Sequence, residues 1–219
     1  MKRIKTAFVL NICIFLLEVF AIGWMMSGNS SGLLTAARLR TLRYFTIDSN
    51  ILMGIVALLI GIDQWKVLKG KKNEVSASSY VLKLVGTASV TLTMLITVFF
   101  LLPTTAATYG YFALFAYSNF FLHLLNPIVS IVSFLCFEKT KKIAFKHTFT
   151  AIIPMLLYAV YYVGAAVSHA ENGVIAPGYD WYGFFFAGLR SGIFVVPILI
   201  LLTYGISFSL WKLNRRNAA

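Results

Sequence analysis

Six runs of predominantly apolar residues dominate the chain, at about 6–27, 44–65, 79–102, 117–137, 148–168 and 185–210. About 20 residues at ~1.5 Å each cross the ~30 Å hydrocarbon core of a bilayer as a helix. A helix is also the one single segment that satisfies its own backbone polar groups there. The pattern predicts an all-α polytopic membrane protein, a six-helix transmembrane bundle forming one domain over 1–219. The connections leave no room for a soluble domain. Only 12% of residues are charged, 59% are hydrophobic and mean hydropathy is +0.83, far from the ~25% charged residues of a soluble protein.

The net charge of +12 is not that of a nucleic-acid binder, because the cations sit in short clusters between apolar runs. Such clusters suit anionic phospholipid at a membrane surface. Lys2, Arg3 and Lys5 precede the first run; Lys66, Lys69, Lys71 and Lys72 follow the second; Lys139, Lys141, Lys142 and Lys146 follow the fourth; Lys212, Arg215 and Arg216 follow the sixth. With six spans all four clusters fall on one side, and the positive-inside rule puts both termini in the cytoplasm. Arg38, Arg40 and Arg43 fall on the other side. Their segment, LLTAARLRTLRYF, reads as an interfacial stretch with leucines on lipid and arginines reaching headgroups. The first run, longer than a signal-peptide core and followed by no clear cleavage site, is expected to remain as a helix. Cys13 and Cys136 read as buried small hydrophobes. His123, His147 and His169 fall at different levels, and no metal or cofactor motif is present, so no cofactor is expected.

Ionisable residues inside spans are costly and mark function by default. Here they are Glu18, Asp48, His123 and Arg190. Lys83, near a span end, is expected to snorkel. On a ~1.5 Å rise, His123 lies roughly 9 Å and Arg190 roughly 8 Å below the outer ends of their spans. Glu18 is in the outer half of the first span and Asp48 near the start of the second. Four helices thus bring polar groups to one depth in the outer leaflet, while the inner halves hold almost nothing polar but Thr and Ser. Residues three or four apart share a helix face. Thr46, Ser49 and Asn50 form one polar face, and Asn119, His123, Asn126 and Ser130 form another, both expected to face the bundle interior. Asp48 lies about 200° round from Thr46 and faces another neighbour, such as one of the arginines. A structural account stays open for each: Glu18 and Arg190 as a buried ion pair, His123 as a packing hydrogen bond, Asn126-Pro127 as a bend. The aromatic clusters read as packing and interface belts.

At these residues a resemblance enters. YFTIDSNILMGI followed by FLHLLNPIVSIVSFLCFE resembles the androgen-induced and androgen-dependent TFPI-regulating membrane proteins and their bacterial relatives. IIPMLLYAVYYVGAAV, then GVIAPGYDWYGFF, is similar to the bacterial branch. The resemblance covers about 44–186 in span order and motifs. Members with an assigned activity hydrolyse fatty acid esters of hydroxy fatty acids with a threonine and a histidine. Those positions correspond to Thr46 and His123, which the resemblance makes the nucleophile and the base. It implies an enzyme of a bacterial cell membrane acting on a lipid or fatty acid ester. In supporting roles, Asn50 and Asn126 are candidate oxyanion donors, Arg190 a clamp for a carboxylate or phosphate, and Asp48 or Glu18 an orienter of the histidine. His169 is a minor alternative base.

Three other functions compete. An acyltransferase would use the same acyl-threonine. A lipid-binding protein would keep the pocket without chemistry. A transporter would use the intramembrane charges as a path, against which stand their clustering at one depth and the absence of paired interrupted spans.

Overall fold

The computed structural model describes residues 1–30, 33, 36–110, 112–176 and 178–216. Six helices are long and apolar enough to cross a membrane: α1 Lys2–Met26, α2 Phe45–Leu68, α3 Ala77–Tyr109, α4 Ser118–Phe137, α5 Phe145–Ser168 and α6 Leu189–Arg216. This is the all-α membrane bundle that the apolar runs require. Several helices outrun their apolar segments. α1 starts among its first lysines and α6 ends on Arg215 and Arg216, because a helix need not stop where the hydrocarbon does. Both termini lie at one face of the bundle: Arg3 Nε donates to the Phe137 carbonyl at 3.1 Å, and Asn214 Nδ2 to the Phe134 carbonyl at 2.6 Å. We call this the terminal face.

Lipid tails are as apolar as leucine, so close packing and hydrogen bonds hold membrane helices together. Glycines set the spacing here. A Cβ on Gly54 of α2 would lie 3.2 Å from Glu18 Cβ of α1, and one on Gly86 of α3 would lie 3.1 Å from Met53 Sδ of α2. Around them Ile14, Met53, Val56, Ala57 and Val90 form a buried cluster joining α1, α2 and α3. Cys13 and Cys136, expected inside, are exposed on the bundle surface. They sit within apolar runs, on the sides that meet no neighbouring helix.

α3 and α4 are not uniform α-helices. π turns occupy Thr97–Leu101, Phe121–Leu125 and Ser133–Phe137. The middle one precedes Pro127, which has no N–H to offer the carbonyl four residues back. The Asn126 N–H bonds instead to Phe121, five residues back. π turns are often found at functional sites, and this one carries His123.

At the face opposite the termini, Arg38–Arg43 forms a 3₁₀ turn. Leu39 and Leu42 are exposed there, as are Arg38 and Arg40. Arg43 turns in, donating to Tyr44 Oη at 2.7 Å. Leu34 and Thr35 of this stretch lie outside the described residues. Ala170–Glu171 pairs antiparallel with Val174–Ile175 across Asn172 and Gly173, whose φ values of 51° and 79° suit a tight hairpin. The loop that follows folds over the bundle around Asp180. Its carboxylate accepts the backbone N–H groups of Phe184 and Phe185, each at 3.0 Å, and the Tyr162 hydroxyl. Trp181 Nε1 donates to Tyr158 Oη, which donates to the Arg43 carbonyl, both at 2.8 Å.

Candidate functional site

Thr46 is the second residue of α2, and His123 sits in the π turn of α4. Thr46 Oγ1 lies 3.2 Å from His123 Nε2. Both are buried, at 7% and 1% exposure. The other ring nitrogen, Nδ1, lies 3.2 Å from the Asn119 carbonyl. A carbonyl only accepts, so that contact assigns the proton to Nδ1. Nε2 is then left as the acceptor for the threonine hydroxyl, the tautomer a general base requires. The remaining members of the two polar faces, Ser49, Asn50, Asn119, Asn126 and Ser130, are all buried too.

Thr46 lines a small, mainly apolar cavity. Its walls are apolar: Leu92 and Ile96 from α3, Met155 and Ala159 from α5, Val196 and Leu199 from α6. Phe45, Tyr158, Tyr162, Tyr182, Phe184 and Phe185 also line it. Tyr182, which the sequence did not single out, meets the Thr46 side chain and the backbone N–H groups of Phe45 and Thr46. First-turn N–H groups have no acceptor within their own helix. Burial pushes the Tyr182 phenol up to about 12. It remains an O–H across the physiological range.

The supporting candidates are placed differently from expectation. Asn50 Nδ2 donates to the Thr46 carbonyl at 2.7 Å and to the Leu122 carbonyl at 3.2 Å. Asn126 Nδ2 donates to Glu18 Oε2 at 2.7 Å. Asn50 spends both amide hydrogens on carbonyls and so clips α2 to α4 beside the Thr46–His123 contact, while Asn126 spends one of its two on Glu18. Glu18 therefore pairs with Asn126 and not with Arg190, and it does not orient His123; the Asn119 carbonyl does. Asp48 does not orient it either. Its carboxylate is half-buried in a surface groove with Leu42, Pro154, Leu157 and Tyr161, and it forms no ion pair with an arginine among the described residues. Arg190 is exposed in the first turn of α6, because Asp180 holds residues 184 and 185 in the loop and the helix starts later than the apolar run. His169 is exposed, stacked on Tyr179 with ring centroids 3.6 Å apart. His147 lies by the terminal face, accepting from the Ala144 N–H at 3.2 Å.

Nearer the terminal face the bundle holds a second polar cluster, which corrects two expectations. Lys83 does not snorkel: it is fully buried. Its Nζ donates to Asn11 Oδ1 at 2.5 Å and lies 3.5 Å from Glu138 Oε2. Glu138 also accepts from Asn11 at 2.6 Å, Gln64 at 3.0 Å and Ser133 at 3.1 Å. The half of the bundle toward the termini is thus not merely apolar with Thr and Ser. Asn11 and Gln64 were visible as amides inside apolar runs, but only the fold shows that they meet.

Together these features define the chain as a six-span membrane protein with a buried threonine–histidine contact beside an apolar cavity. Compared with protein-family models, with curated proteins and with solved structures, the chain matches none.

Proposed function

We propose that this protein is an intramembrane lipid ester hydrolase with Thr46 as nucleophile and His123 as base. The observation that carries the proposal is the 3.2 Å Thr46–His123 contact beside a cavity lined mainly by apolar side chains. The motif resemblance to the androgen-induced family supports the same pair and suggests fatty acid esters of hydroxy fatty acids as the substrate class. In this proposal the terminal face is cytoplasmic, since the lysine clusters lie there, the site is near the outer leaflet, and the host is a bacterial cell membrane.

The steps follow from the geometry. Thr46 Oγ1 attacks the ester carbonyl carbon while its proton passes to His123 Nε2. The negative charge on the carbonyl oxygen is met by the Tyr182 hydroxyl, in place of the amides first considered. The intermediate breaks its bond to the alcohol oxygen, which takes the proton from Nε2. Water then attacks the acyl-threonine with Nε2 again as base. The fatty acid leaves and Thr46 is restored. A lipid alcohol in place of that water gives acyl transfer.

The test is hydrolysis of a panel of lipid esters by purified protein in detergent. Thr46→Ala and His123→Ala are each expected to lower kcat by ~10³ or more, and the double variant by about the same factor, since residues acting as a unit are not additive. Thr46→Ala loses the hydroxyl and one methyl but keeps the Asn50 hydrogen bond, which is made to its backbone carbonyl; an unchanged elution profile checks folding. Turnover that survives Thr46→Ala refutes the nucleophile, and wild type inert on every ester refutes the class.

A further inference from the structure

Between the Thr46–His123 contact and the Lys83 cluster, four buried oxygens on α1, α3 and α4 have no hydrogen-bond partner among the described residues. Glu18 of α1 accepts one hydrogen bond, at Oε2, from Asn126 Nδ2. That donation fixes the amide and turns Asn126 Oδ1 away from it. Asn126 Oδ1, Glu18 Oε1, Ser130 Oγ and Thr87 Oγ1 are each buried with no hydrogen bond, in residues no more than 1% exposed. Ser130 lies one turn beyond Asn126 on the same face of α4. Thr87 lies one turn beyond Lys83 on α3, and the Lys83 ammonium reaches Asn11 of α1 and Glu138, so Thr87 faces the same α1–α4 seam. Glu18 and Thr87 are also level with each other: Gly54 of α2 abuts Glu18, and Gly86, next to Thr87, abuts Met53.

Buried polar atoms almost always find partners, so four orphans in one seam call for an occupant. The charges point to its sign. The seam holds two carboxylates, Glu18 and Glu138, against one ammonium, Lys83, which lies 3.5 Å from Glu138. Glu138 is saturated by donors; Glu18 has an open oxygen. With Glu18 ionised, one negative charge is left over, and an uncompensated charge in a membrane interior is expensive. A carboxylate, an amide carbonyl and two hydroxyls make a hard, all-oxygen ligand set of the kind that holds hard cations, and one leftover charge matches a single positive charge. We propose that Glu18, Thr87, Asn126 and Ser130 form an internal site for a monovalent cation. The site shares no residue with the Thr46–His123 pair, and the proposal does not depend on ester hydrolysis.

The experiment is thermal unfolding of the full chain in detergent at pH 8.5, in about 300 mM sodium chloride against N-methyl-D-glucamine chloride of equal ionic strength. A site of ~10 mM affinity raises Tm by about 4–8 °C in sodium. Glu18→Gln should abolish the rise. Should that variant fail to fold, Ser130→Ala decides. Its hydroxyl has no protein partner, so the variant should fold as wild type in N-methyl-D-glucamine and lose at least half of the rise in sodium. No sodium-specific rise in wild type overturns the proposal and leaves a proton to neutralise Glu18. A rise of wild-type size in Ser130→Ala overturns it as well.

Discussion

Replacing Lys83 by methionine tests what holds α1, α3 and α4 together near the terminal face. The substitution keeps the side chain's length and removes its charge. Glu138 would remain fully buried, with neutral donors from Asn11, Gln64 and Ser133, and Asn11 Oδ1 would lose its 2.5 Å donor. Breaking one side of a buried pair costs ~3–5 kcal/mol. The surviving donors to Glu138 place this case near ~3 kcal/mol. For a chain of this length each kcal/mol moves Tm by about 2–4 °C, so Lys83→Met should unfold about 6–12 °C lower. Adding Glu138→Gln removes the stranded charge and should recover at least half of that loss. Fluorescence-monitored unfolding in detergent reads both. A fall below about 2 °C for Lys83→Met, or a further drop on adding Glu138→Gln, would refute the argument that an uncompensated carboxylate is the cost.

Ala159 lines the cavity, and a phenylalanine there fills the room of roughly four methylenes at interior packing density. At ~0.8 kcal/mol per buried methylene, Ala159→Phe should shift the preferred ester to shorter chains, losing about fourfold in kcat/KM per methylene that no longer fits; an unchanged chain-length profile would remove this cavity as the acyl site. A Cβ on Gly192 would meet Phe185 Cε1 at 2.6 Å, so Gly192→Ala must move that ring, and the same chain-length panel reads the effect as lower turnover of the longest esters. The Tyr182 phenol is raised from 10.0 to about 12 by burial, so its stabilisation is complete below pH ~10 and is lost as pH rises toward ~12. Tyr182→Phe should flatten the fall in Tm over that window, and an unchanged slope would mean the phenol is not shielded.

Apolar runs made the six spans legible, because length and hydropathy alone decide whether a helix can cross a bilayer. Thr46, Asn50, His123 and Asn126 were legible as buried because polar groups at helical spacing cannot face lipid. Partners were not legible. Glu18 looked like a match for Arg190 by depth and charge, yet α1 packs on α4 and delivers it to Asn126. Lys83 looked free to reach the surface because the apolar run begins only four residues earlier, but the end of α4 lies across its path. Arg190 read as membrane-embedded because the run FFFAGL continues smoothly into α6, and only Asp180, reaching forward to two backbone N–H groups, shows where the helix begins. Such backbone-directed hydrogen bonds leave no period in a sequence.

The π turn at Phe121–Leu125 has a consequence for how this site tolerates change in chain length. A π turn is a helix holding one residue more than its α counterpart, and each residue turns an α-helix by ~100°. Deleting one residue between Phe121 and Leu125 would let α4 return to α register and swing His123 about a quarter-turn relative to Asn126 and Ser130. Every polar side chain would still be present, but the imidazole would no longer point at Thr46. In α4 the phase of the helix, and not its composition alone, decides whether the two side chains meet.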